Sequence, residues 1–311
     1  MTRLPETTSV ICFGEVLWDI MPTGPNPGGA PMNVAYHLQQ MGVKAHLLSR
    51  VGEDVAGDIL LNTLKSWGLS TALCEADAAY PTSEVHARVG ENHEVTYEIV
   101  YPVAWDFISY NTEAASLLRR ADAFVFGSLA TRNQTSRETL FRLLEESAFN
   151  VFDVNLRAPH YSPAVIRQLL HKTNLLKLNQ QELELLTDWF GGGITSEAAR
   201  IGLLHEQFGI GEIIVTRGSK GASYFIPGKR LDCAALPVEV ADTVGSGDAF
   251  LAAFLAKKLQ NESAETALAY AAALGALVTS KHGACPPYTT SELDTLLAGK
   301  EKLPVPAIKS A

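Results

Sequence analysis

The chain has 311 residues, a net charge of −9 and 47% hydrophobic residues. These values fit one large α/β domain with a sizeable core, or two smaller domains. The acidic balance argues against a nucleic-acid-binding protein, which usually needs a basic face. No apolar run approaches the roughly 20 residues that span a bilayer, so no membrane partner is expected. Residues 1–9 lack a signal-peptide pattern, and the 4 scattered cysteines indicate free thiols in a reducing cytoplasm.

Short apolar runs alternate with amphipathic stretches along most of the chain. The apolar runs predict buried strands over 10–14, 45–51, 123–127, 151–154, 175–178 and 212–216. The amphipathic stretches predict helices over 32–41, 58–67, 112–119, 136–147, 163–171 and 195–208. This alternation predicts a mostly parallel sheet covered by helices, and ligands bind such sheets beyond the carboxyl ends of the strands.

One segment departs from this alternation. Residues 84–89 and 95–100 alternate apolar and polar side chains, and Gly90-Glu91-Asn92-His93 between them is typical of a turn. A hairpin inside a parallel α/β chain is expected to project as a small flap, although an edge hairpin of the main sheet fits the periodicity too. The predicted division of the chain is a core over 1–82 and 105–300, an inserted β-hairpin lid over 83–104, and a loose tail over 301–311.

Two polar residues near the N-terminus are candidates for binding a polyol. Asp19 ends the segment that closes the first strand, and Asn33 opens a helix after the adjacent pair Gly28-Gly29. Asp accepts hydrogen bonds from hydroxyls, whereas Asn both donates and accepts. The glycines let a ligand approach the backbone closely. A strand-ending turn and a helix cap explain the same residues without a ligand.

Polar residues also follow the fourth and fifth predicted strands. Asp153, Asn155 and Arg157 alternate past one strand, and Arg157 offers a planar fork for a carboxylate, a phosphate or two hydroxyls. A surface salt bridge is the competing interpretation of Arg157. Asn179 and Glu182 share one face of a helix start, where they can hold hydrated Mg²⁺ or form a capping box.

A glycine-rich turn follows the sixth predicted strand. The stretch Thr216-Arg217-Gly218-Ser219-Lys220-Gly221 can pass close to a nucleotide. It can equally be the turn of a hairpin that leads into the apolar residues 223–226.

The most informative stretch is Asp242-Thr243-Val244-Gly245-Ser246-Gly247-Asp248, which apolar residues at helical spacing follow directly. A glycine loop opening into a helix directs unpaired N–H groups and the positive end of the helix dipole at one point, so an anion site is predicted. Asp248 lies beside that site, either as a helix-capping carboxylate or as a base for an attacking hydroxyl. Phosphoryl transfer needs both parts. The stretch is neither a Walker A motif nor a dinucleotide fingerprint.

These pieces, in this order, resemble the ribokinase/fructokinase family of sugar kinases from Gly14 to Pro286. The stretches 28–38 and 242–248 carry the resemblance, with Asn179-x-x-Glu182 and the hairpin between them. Gly-Glu-Val-Leu-Trp-Asp before Gly-Gly-Ala-Pro, and Asp-Val-Asn-Leu-Arg at 153–157, look most like the fructokinase branch. The resemblance implies a ribokinase-like three-layer α/β/α fold with a mostly parallel central sheet and a small antiparallel β lid.

The resemblance also implies a role for each matching position. Asp248 would deprotonate the sugar hydroxyl. The backbone anion hole would be formed by Gly245, Ser246 and Gly247. Sugar hydroxyls would be held by Asp19, Gly29 and Asn33, with Arg157 as a further substrate contact.

The implied cofactors are ATP, Mg²⁺ and the monovalent cation K⁺. Asn179 and Glu182 would organise Mg²⁺ and phosphate through water, and Thr216 and Gly218 would border ATP. The K⁺ ion would be held largely by backbone oxygens, at Asp242, Val244, Val278 and Gly283.

The function expected from these roles is that of a cytoplasmic fructokinase that forms fructose 6-phosphate, with the lid as a homodimer contact. A 2-keto-3-deoxygluconate kinase is the nearest alternative, because Arg157 is available for its substrate carboxylate. Another ribokinase-family sugar kinase is a related alternative. A non-catalytic sugar-binding or sensing protein is the alternative from another class.

Overall fold

The computed structural model of the protein describes residues 8–21, 24–89 and 95–300. The turn predicted at 90–93 and the tail predicted at 301–311 lie outside the described residues. The strands of the described ranges are β1 (Ser9–Phe13), β2 (Leu17–Met21), β3 (Gly24–Gly28), β4 (Lys44–Gly52), β5 (Cys74–Asp77), β6 (Ser83–Val89), β7 (Val95–Ile99), β8 (Ala123–Gly127), β9 (Asn150–Asp153), β10 (Leu175–Asn179), β11 (Glu212–Thr216), β12 (Ala222–Ile226) and β13 (Lys229–Cys233).

The helices include all six that the sequence predicts, with ends shifted by up to three residues. They are α1 (Ala30–Gln40), α2 (Val55–Ser66), α3 (Thr112–Leu118), α4 (Gln134–Leu144), α5 (Pro163–Leu170), α6 (Gln180–Phe190), α7 (Glu197–Phe208), α8 (Ser246–Leu259), α9 (Ala264–Thr279) and α10 (Thr290–Lys300). Short 3₁₀ turns occur at Ala104–Phe107, Leu129–Thr131 and Gly218–Lys220. Within the described ranges, no helix combines the length and the apolar character needed to cross a membrane.

The larger sheet has nine strands in the order β13-β12-β11-β10-β9-β8-β1-β4-β5. The seven strands from β11 to β5 run parallel, and only β12 and β13 at one edge are antiparallel. This arrangement confirms the predicted mostly parallel sheet. It also shows that the glycine-rich turn after β11 connects a hairpin, because Thr216 pairs with Ala222.

Successive residues of the central strands enter two separate cores. Val10 and Cys12 of β1 pack in the core formed with α1, α8 and α9, whereas Ile11 and Phe13 pack with helices α3 to α7. All four side chains are completely buried. Burying one large apolar side chain contributes about 1.5–3 kcal/mol, so both sheet faces are held strongly by helices. The predicted three-layer α/β/α fold is confirmed.

The smaller sheet has four strands in the order β3-β2-β6-β7. Strands β6 and β7 form the predicted hairpin, with Val85 opposite Ile99, and they do not extend the main sheet. The β2–β3 pair is also antiparallel, whereas β2 runs parallel to β6. The lid boundaries 83–104 stay a prediction, since this sheet also takes strands from 17–28.

The segment 14–19 was interpreted as the close of the first strand, and that interpretation is wrong. Strand β1 ends at Phe13, and β2 belongs to the smaller sheet. The sequence does not predict strand β3, because Pro25 and Pro27 have a low propensity for strands. Proline is tolerated there since β3 lies at the sheet edge, where a missing N–H breaks no ladder on the open side.

Candidate active site

The predicted anion site lies at the first turn of α8. Gly245 precedes the helix with a φ of 74°, and a Cβ on it would lie 2.6 Å from the Cα of Ala284. Only glycine fits this left-handed position. In the described part of the chain, the amides of Gly247 and Asp248 donate to no protein acceptor. These two free N–H groups and the helix dipole make the turn suitable for an anion.

Asp248 is held in place by Asn33 from the start of α1. The Asn33 Nδ2 donates to Asp248 Oδ2 at 2.8 Å, and the Cys285 Sγ donates to Asn33 Oδ1 at 3.3 Å. Burial raises the pKa of Asp248 to about 6, while the positive charge of Lys177 and the Asn33 hydrogen bond lower it. Asp248 is therefore an ionised carboxylate at neutral pH, close to the range that suits a general base.

A buried ion pair, which the sequence analysis missed, adjoins the anion site. Lys177 Nζ on β10 donates to both carboxylate oxygens of Asp153 on β9, at 2.9 and 2.8 Å. The two side chains are only 9% and 5% exposed. A Cβ on Gly247 would lie 3.1 Å from Lys177 Nζ, so the ammonium group faces the first turn of α8.

The ammonium group of Lys177 is charged. Burial alone would lower its pKa, but the carboxylates of Asp153 and Asp248 raise that pKa above its ordinary value. The signal available in the sequence was a lysine inside the apolar run Leu175-Leu176-Lys177-Leu178, because lysine is almost never fully buried without a partner.

Glu15 is a second group that the sequence analysis did not assign. Its side chain is buried, and in the described chain its Oε2 has no hydrogen-bond partner. Burial raises the pKa of Glu15 to about 7, the backbone N–H groups of Glu15 and Ala30 lower it, and the nearby charge of Asp248 raises it. The site therefore contains two neighbouring carboxyl groups that titrate near neutrality.

The predicted sugar-binding residues converge from both sheets. Asp19 lies on β2, and burial raises its pKa to about 6, while the charge of Arg157 lowers it and that of Asp242 raises it. A Cβ on Gly28 would lie 2.2 Å from Asp19 Oδ2. Gly29 caps α1 with a φ of 112°, and a Cβ on it would lie 2.4 Å from the carbonyl oxygen of Glu15. Gly29 is therefore required by its backbone conformation and its backbone contact, and Gly28 leaves room for the Asp19 carboxylate.

Arg157 is exposed, and its side chain forms no ion pair or hydrogen bond within the described residues, whereas its carbonyl oxygen accepts from the His160 amide at 2.7 Å. The surface salt bridge that competed with a binding role is thus not observed. Its charge nevertheless acts on Asp19, Glu15 and Asp248. The expected alternation of 153, 155 and 157 stops early, because β9 ends at Asp153 and Asn155 has a φ of 38°.

The predicted nucleotide residues line a second region of the same sheet edge. A cavity of about 770 Å³ is bordered by Asn179, Thr216 and Gly218, together with Arg217 and Lys220. Its size is within the range of small-molecule sites. The glycine-rich turn is thus both a hairpin turn and a wall of this cavity.

Asn179 and Glu182 form the capping box that was the alternative to metal binding. Asn179 Oδ1 accepts from the Glu182 amide at 2.9 Å, and Glu182 Oε2 accepts from the Asn179 amide at 2.8 Å. Glu182 Oε1 also accepts from the Leu156 amide at 2.9 Å. Among the described residues, no group of three or more acidic, His or Cys side chains could hold a metal ion. Any Mg²⁺ here would consequently depend on water and substrate oxygens for most of its ligands.

The predicted cation positions meet next to the anion site. The Asp242 carboxylate accepts from the amide of Val244 at 3.0 Å and from the amide of Gly283 at 3.2 Å. Val278 is buried in α9, one residue before Thr279, whose carbonyl oxygen accepts from the Asp242 amide at 3.2 Å. These contacts bring the four positions into one loop cluster.

Helix α1 braces the loop behind Gly245. The His37 Nε2 lies 2.9 Å from the carbonyl oxygen of Ala284, and the Tyr36 hydroxyl donates to that of Pro286 at 3.1 Å. Burial lowers the pKa of His37 to about 4, so its ring is neutral near pH 7. The same helix therefore positions Asn33 and supports the loop of the anion site.

Comparison with known proteins gives a consistent result. The model of the family described as pfkB family carbohydrate kinase matches residues 7–291. The probable fructokinase-4 of Arabidopsis thaliana is 27% identical, with 94% of this chain and 98% of that protein covered. The fructokinase with bound ATP from Xylella fastidiosa has a TM-score of 0.85 at 21% identity, covering 96% of this chain and 100% of its own.

A second solved structure adds a bound sugar. The fructokinase of Vibrio cholerae O395, in a form with fructose, ADP and calcium ion, has a TM-score of 0.81 at 25% identity, covering 94% of this chain and 99% of its own. These similarities agree with the resemblance carried by residues 28–38 and 242–248. The family match extends over nearly the whole sequence, and this chain therefore belongs to the pfkB family of carbohydrate kinases.

Proposed function

We propose that this protein is a fructokinase, which transfers the γ-phosphoryl group of ATP to the 6-hydroxyl of D-fructose. The observation that carries the proposal is the Asp248 carboxylate, held by Asn33 beside two unpaired amides at the start of α8. The relatives described as fructokinases, at 27% and 25% identity, support fructose as the sugar.

Asp248 is the proposed catalytic base. Asn33 Nδ2 donates its hydrogen bond to Oδ2 of Asp248. This leaves Oδ1 of Asp248 to accept the proton of the attacking sugar hydroxyl. As the oxygen–phosphorus bond forms, the bond between the γ-phosphorus and the bridging oxygen breaks, and ADP leaves with its electron pair. The proton remains on Asp248 until solvent removes it.

The first turn of α8 is the proposed anion hole, formed by the backbone of Gly245, Ser246 and Gly247. Lys177 is placed to add its charge, because its ammonium group lies beside Gly247. Fixed donors near developing negative charge are usually the largest single contribution to catalysis of this kind. Asp153 positions Lys177 and does not itself contact the substrate.

Asp19, Gly29 and Asn33 are the proposed contacts of the sugar hydroxyls, with Arg157 at the exposed side. Asp19 stands on the smaller sheet, so that sheet would contribute directly to the substrate site. A lid built from this sheet would exclude water and limit ATP hydrolysis when it closes. The same sheet is the proposed contact of a homodimer.

ATP is the proposed phosphoryl donor, bordered by Thr216 and Gly218, and Mg²⁺ would be held through water by Asn179 and Glu182. When bound, Mg²⁺ neutralises part of the charge of the phosphate oxygens. The oxygens of Asn179 and Glu182 that serve the capping box keep lone pairs for such water molecules. We also propose that K⁺ activates the enzyme by binding at Asp242, Val244, Val278 and Gly283.

The proposed location is the cytoplasm, because the four free cysteines fit a reducing compartment.

The substrate panel that tests the proposal contains fructose, glucose, mannose, ribose, tagatose, adenosine and 2-keto-3-deoxygluconate. ATP consumption is measured with Mg²⁺, with and without K⁺. We expect a strong preference for fructose. Preference for another sugar would retain the mechanism and replace the substrate, whereas no turnover with any member would favour a sugar-binding or sensing protein.

Arg157 distinguishes fructose from a keto acid. Arg157→Ala is expected to reduce kcat/KM for fructose by less than about tenfold, because an exposed arginine gives little to a neutral sugar. A substrate carboxylate would lose a charged hydrogen bond, which corresponds to about 10- to 100-fold. Steady-state kinetics with both substrates measure this difference, with the exposed Arg120→Ala as the control. A large loss with fructose would contradict the proposed placement of Arg157.

A further inference from the structure

A separate cavity of about 300 Å³ lies on the opposite face of the main sheet from α8. Its walls come from Tyr101, the 3₁₀ turn at 129–131, α4, the loop 159–162 and α5. Helices α4 and α5 belong to the core with Ile11 and Phe13, whereas α8 belongs to the other core. The cavity shares no lining residue with the nucleotide cavity. It shares none of the residues assigned above to the kinase site, although the loop 159–162 in its wall begins two residues after Arg157.

The lining is rich in hydrogen-bond donors and cationic groups. Arg132 and Arg137 are the cations that line the cavity, His160 lines it with a ring whose pKa burial lowers below its ordinary value, and no carboxylate lines it. Arg132 is paired with Asp106 through bonds of 2.7 and 2.8 Å, and both side chains are almost fully buried. Its remaining nitrogen, Nη1, is buried and has no hydrogen-bond partner in the described chain. Because Nη1 is not accessible to solvent, it is not itself a ligand contact, and Arg132 forms a fixed wall of the cavity.

Arg137 carries a charge that no carboxylate neutralises in the part of the chain that the structure describes. Arg137 Nη1 donates to the carbonyl oxygen of Thr131 at 3.2 Å, and within the described residues Arg137 has no carboxylate partner. The guanidinium of Arg132 stays fixed because it stacks 4.0 Å from the centre of the Trp105 ring. The cavity thus combines one fixed guanidinium with one whose positive charge is uncompensated.

Neutral donors complete the lining. The Tyr101 hydroxyl accepts from Asn133 Nδ2 at 3.3 Å, so its own hydrogen is free to donate. Ser162 precedes α5 without making a side-chain cap bond, which leaves its hydroxyl available as well. These donors come from different elements of the lining, so they can reach an oxyanion from more than one direction.

We propose that this cavity binds the phosphate group of a small phosphorylated metabolite, separately from the kinase site. The volume is at the lower end for ligand sites, which suits a phosphate or a monosaccharide phosphate. The rings of Tyr101 and Tyr161 provide apolar walls for the rest of the molecule. The experiment below distinguishes free phosphate from a sugar phosphate as the ligand.

The test is isothermal titration calorimetry of the full-length protein with fructose 6-phosphate and with inorganic phosphate. A non-hydrolysable ATP analogue and fructose are present in excess, to occupy the kinase site. We expect one equivalent to bind, with an affinity about 10- to 100-fold weaker in Arg137→Gln, because a hydrogen bond to a charged group is lost. Tyr101→Phe, which removes only the hydroxyl, should weaken binding by a smaller factor. Arg120→Gln makes the same charge change at an exposed turn and should bind as the unchanged protein does.

Tighter binding of fructose 6-phosphate than of phosphate would assign the cavity to the sugar phosphate, and equal affinities would assign it to free phosphate. The proposal is overturned if the unchanged protein shows no such binding, or if Arg137→Gln and Arg120→Gln bind equally well. Turnover of ATP by Arg137→Gln is measured in parallel. Because Arg137 lies outside the kinase site, failure of this proposal and failure of the proposed fructokinase activity give different results.

Discussion

Replacing Asp248 with Asn is expected to lower kcat by about 10²- to 10⁴-fold, the range typical of a lost general base. The amide has nearly the same shape and can remain beside Asn33, so KM for the sugar should change little. Asp248 makes its hydrogen bond from the first turn of α8. Steady-state kinetics with fructose, together with a thermal melt, measure both effects.

The pH dependence gives the same test a second readout. Since burial raises the pKa of Asp248 to about 6, the carboxylate is ionised above this pH and protonated below it. Activity of the unchanged protein should therefore fall as the pH decreases through about 6. Asp248→Asn should lose the part of this acid limb that Asp248 causes and keep only the part that protonation of Glu15 and Asp19 causes. Asp58→Asn is the matched control, because Asp58 is an exposed acidic residue in the first turn of α2. Unchanged turnover of Asp248→Asn would reject the base and favour a non-catalytic sugar-binding protein.

Replacing Lys177 with Met is expected to affect both stability and catalysis. The substitution leaves the Asp153 carboxylate buried without its partner, which typically costs about 3–5 kcal/mol of unfolding free energy. Loss of the charge beside Gly247 should reduce kcat by about 10²- to 10³-fold, as for other groups that stabilise developing charge. Urea unfolding and steady-state kinetics measure the two effects separately.

The double variant Asp153→Asn with Lys177→Met separates positioning from stability. Removing both charges should restore most of the stability, because no uncompensated charge remains buried. The rate should stay low. The acid limb of the pH profile should move to higher pH in Lys177→Met alone, because Lys177 lowers the pKa of Asp248. The move should be smaller in the double variant, because the charge of Asp153, which raises that pKa, is removed as well. Lys172→Met, which breaks the surface pair with Glu145, is the control and should cost at most about 1 kcal/mol. Recovery of both stability and rate in the double variant would restrict Lys177 to a structural role.

The parallel strands of the larger sheet and the helices that cover it were predictable from the local hydrophobic pattern. Runs such as 10–14 and 123–127 are apolar without alternation, and the structure buries them on both faces. The start of α8 was predictable for a local reason as well. Two glycines and an acidic residue before an apolar helical pattern predict an anion site from a few consecutive residues, so the prediction needs no distant contact.

The smaller sheet shows what local pattern misses. Strand β3 has the sequence Gly-Pro-Asn-Pro-Gly, which has almost no intrinsic tendency to form a strand. It forms one because β2 pairs with it along its full length, from Leu17 opposite Gly28 to Met21 opposite Gly24. Pairing of this kind is a tertiary contact that the sequence does not show. For the same reason β2, which carries Asp19 and pairs with β3, could not be assigned correctly from sequence.

The site divides in the same way. The sequence alone determined the family, the three-layer fold and the positions of the glycines and Asp248, because each depends on residues close together in the chain. Only the tertiary structure decided that Asn33 bonds to Asp248, that the Arg157 side chain has no ion-pair partner among the described residues, and that Lys177 is paired with Asp153 beside Gly247. Those contacts join residues from different strands and helices, and the energies of buried charges depend on the distances that folding sets between them.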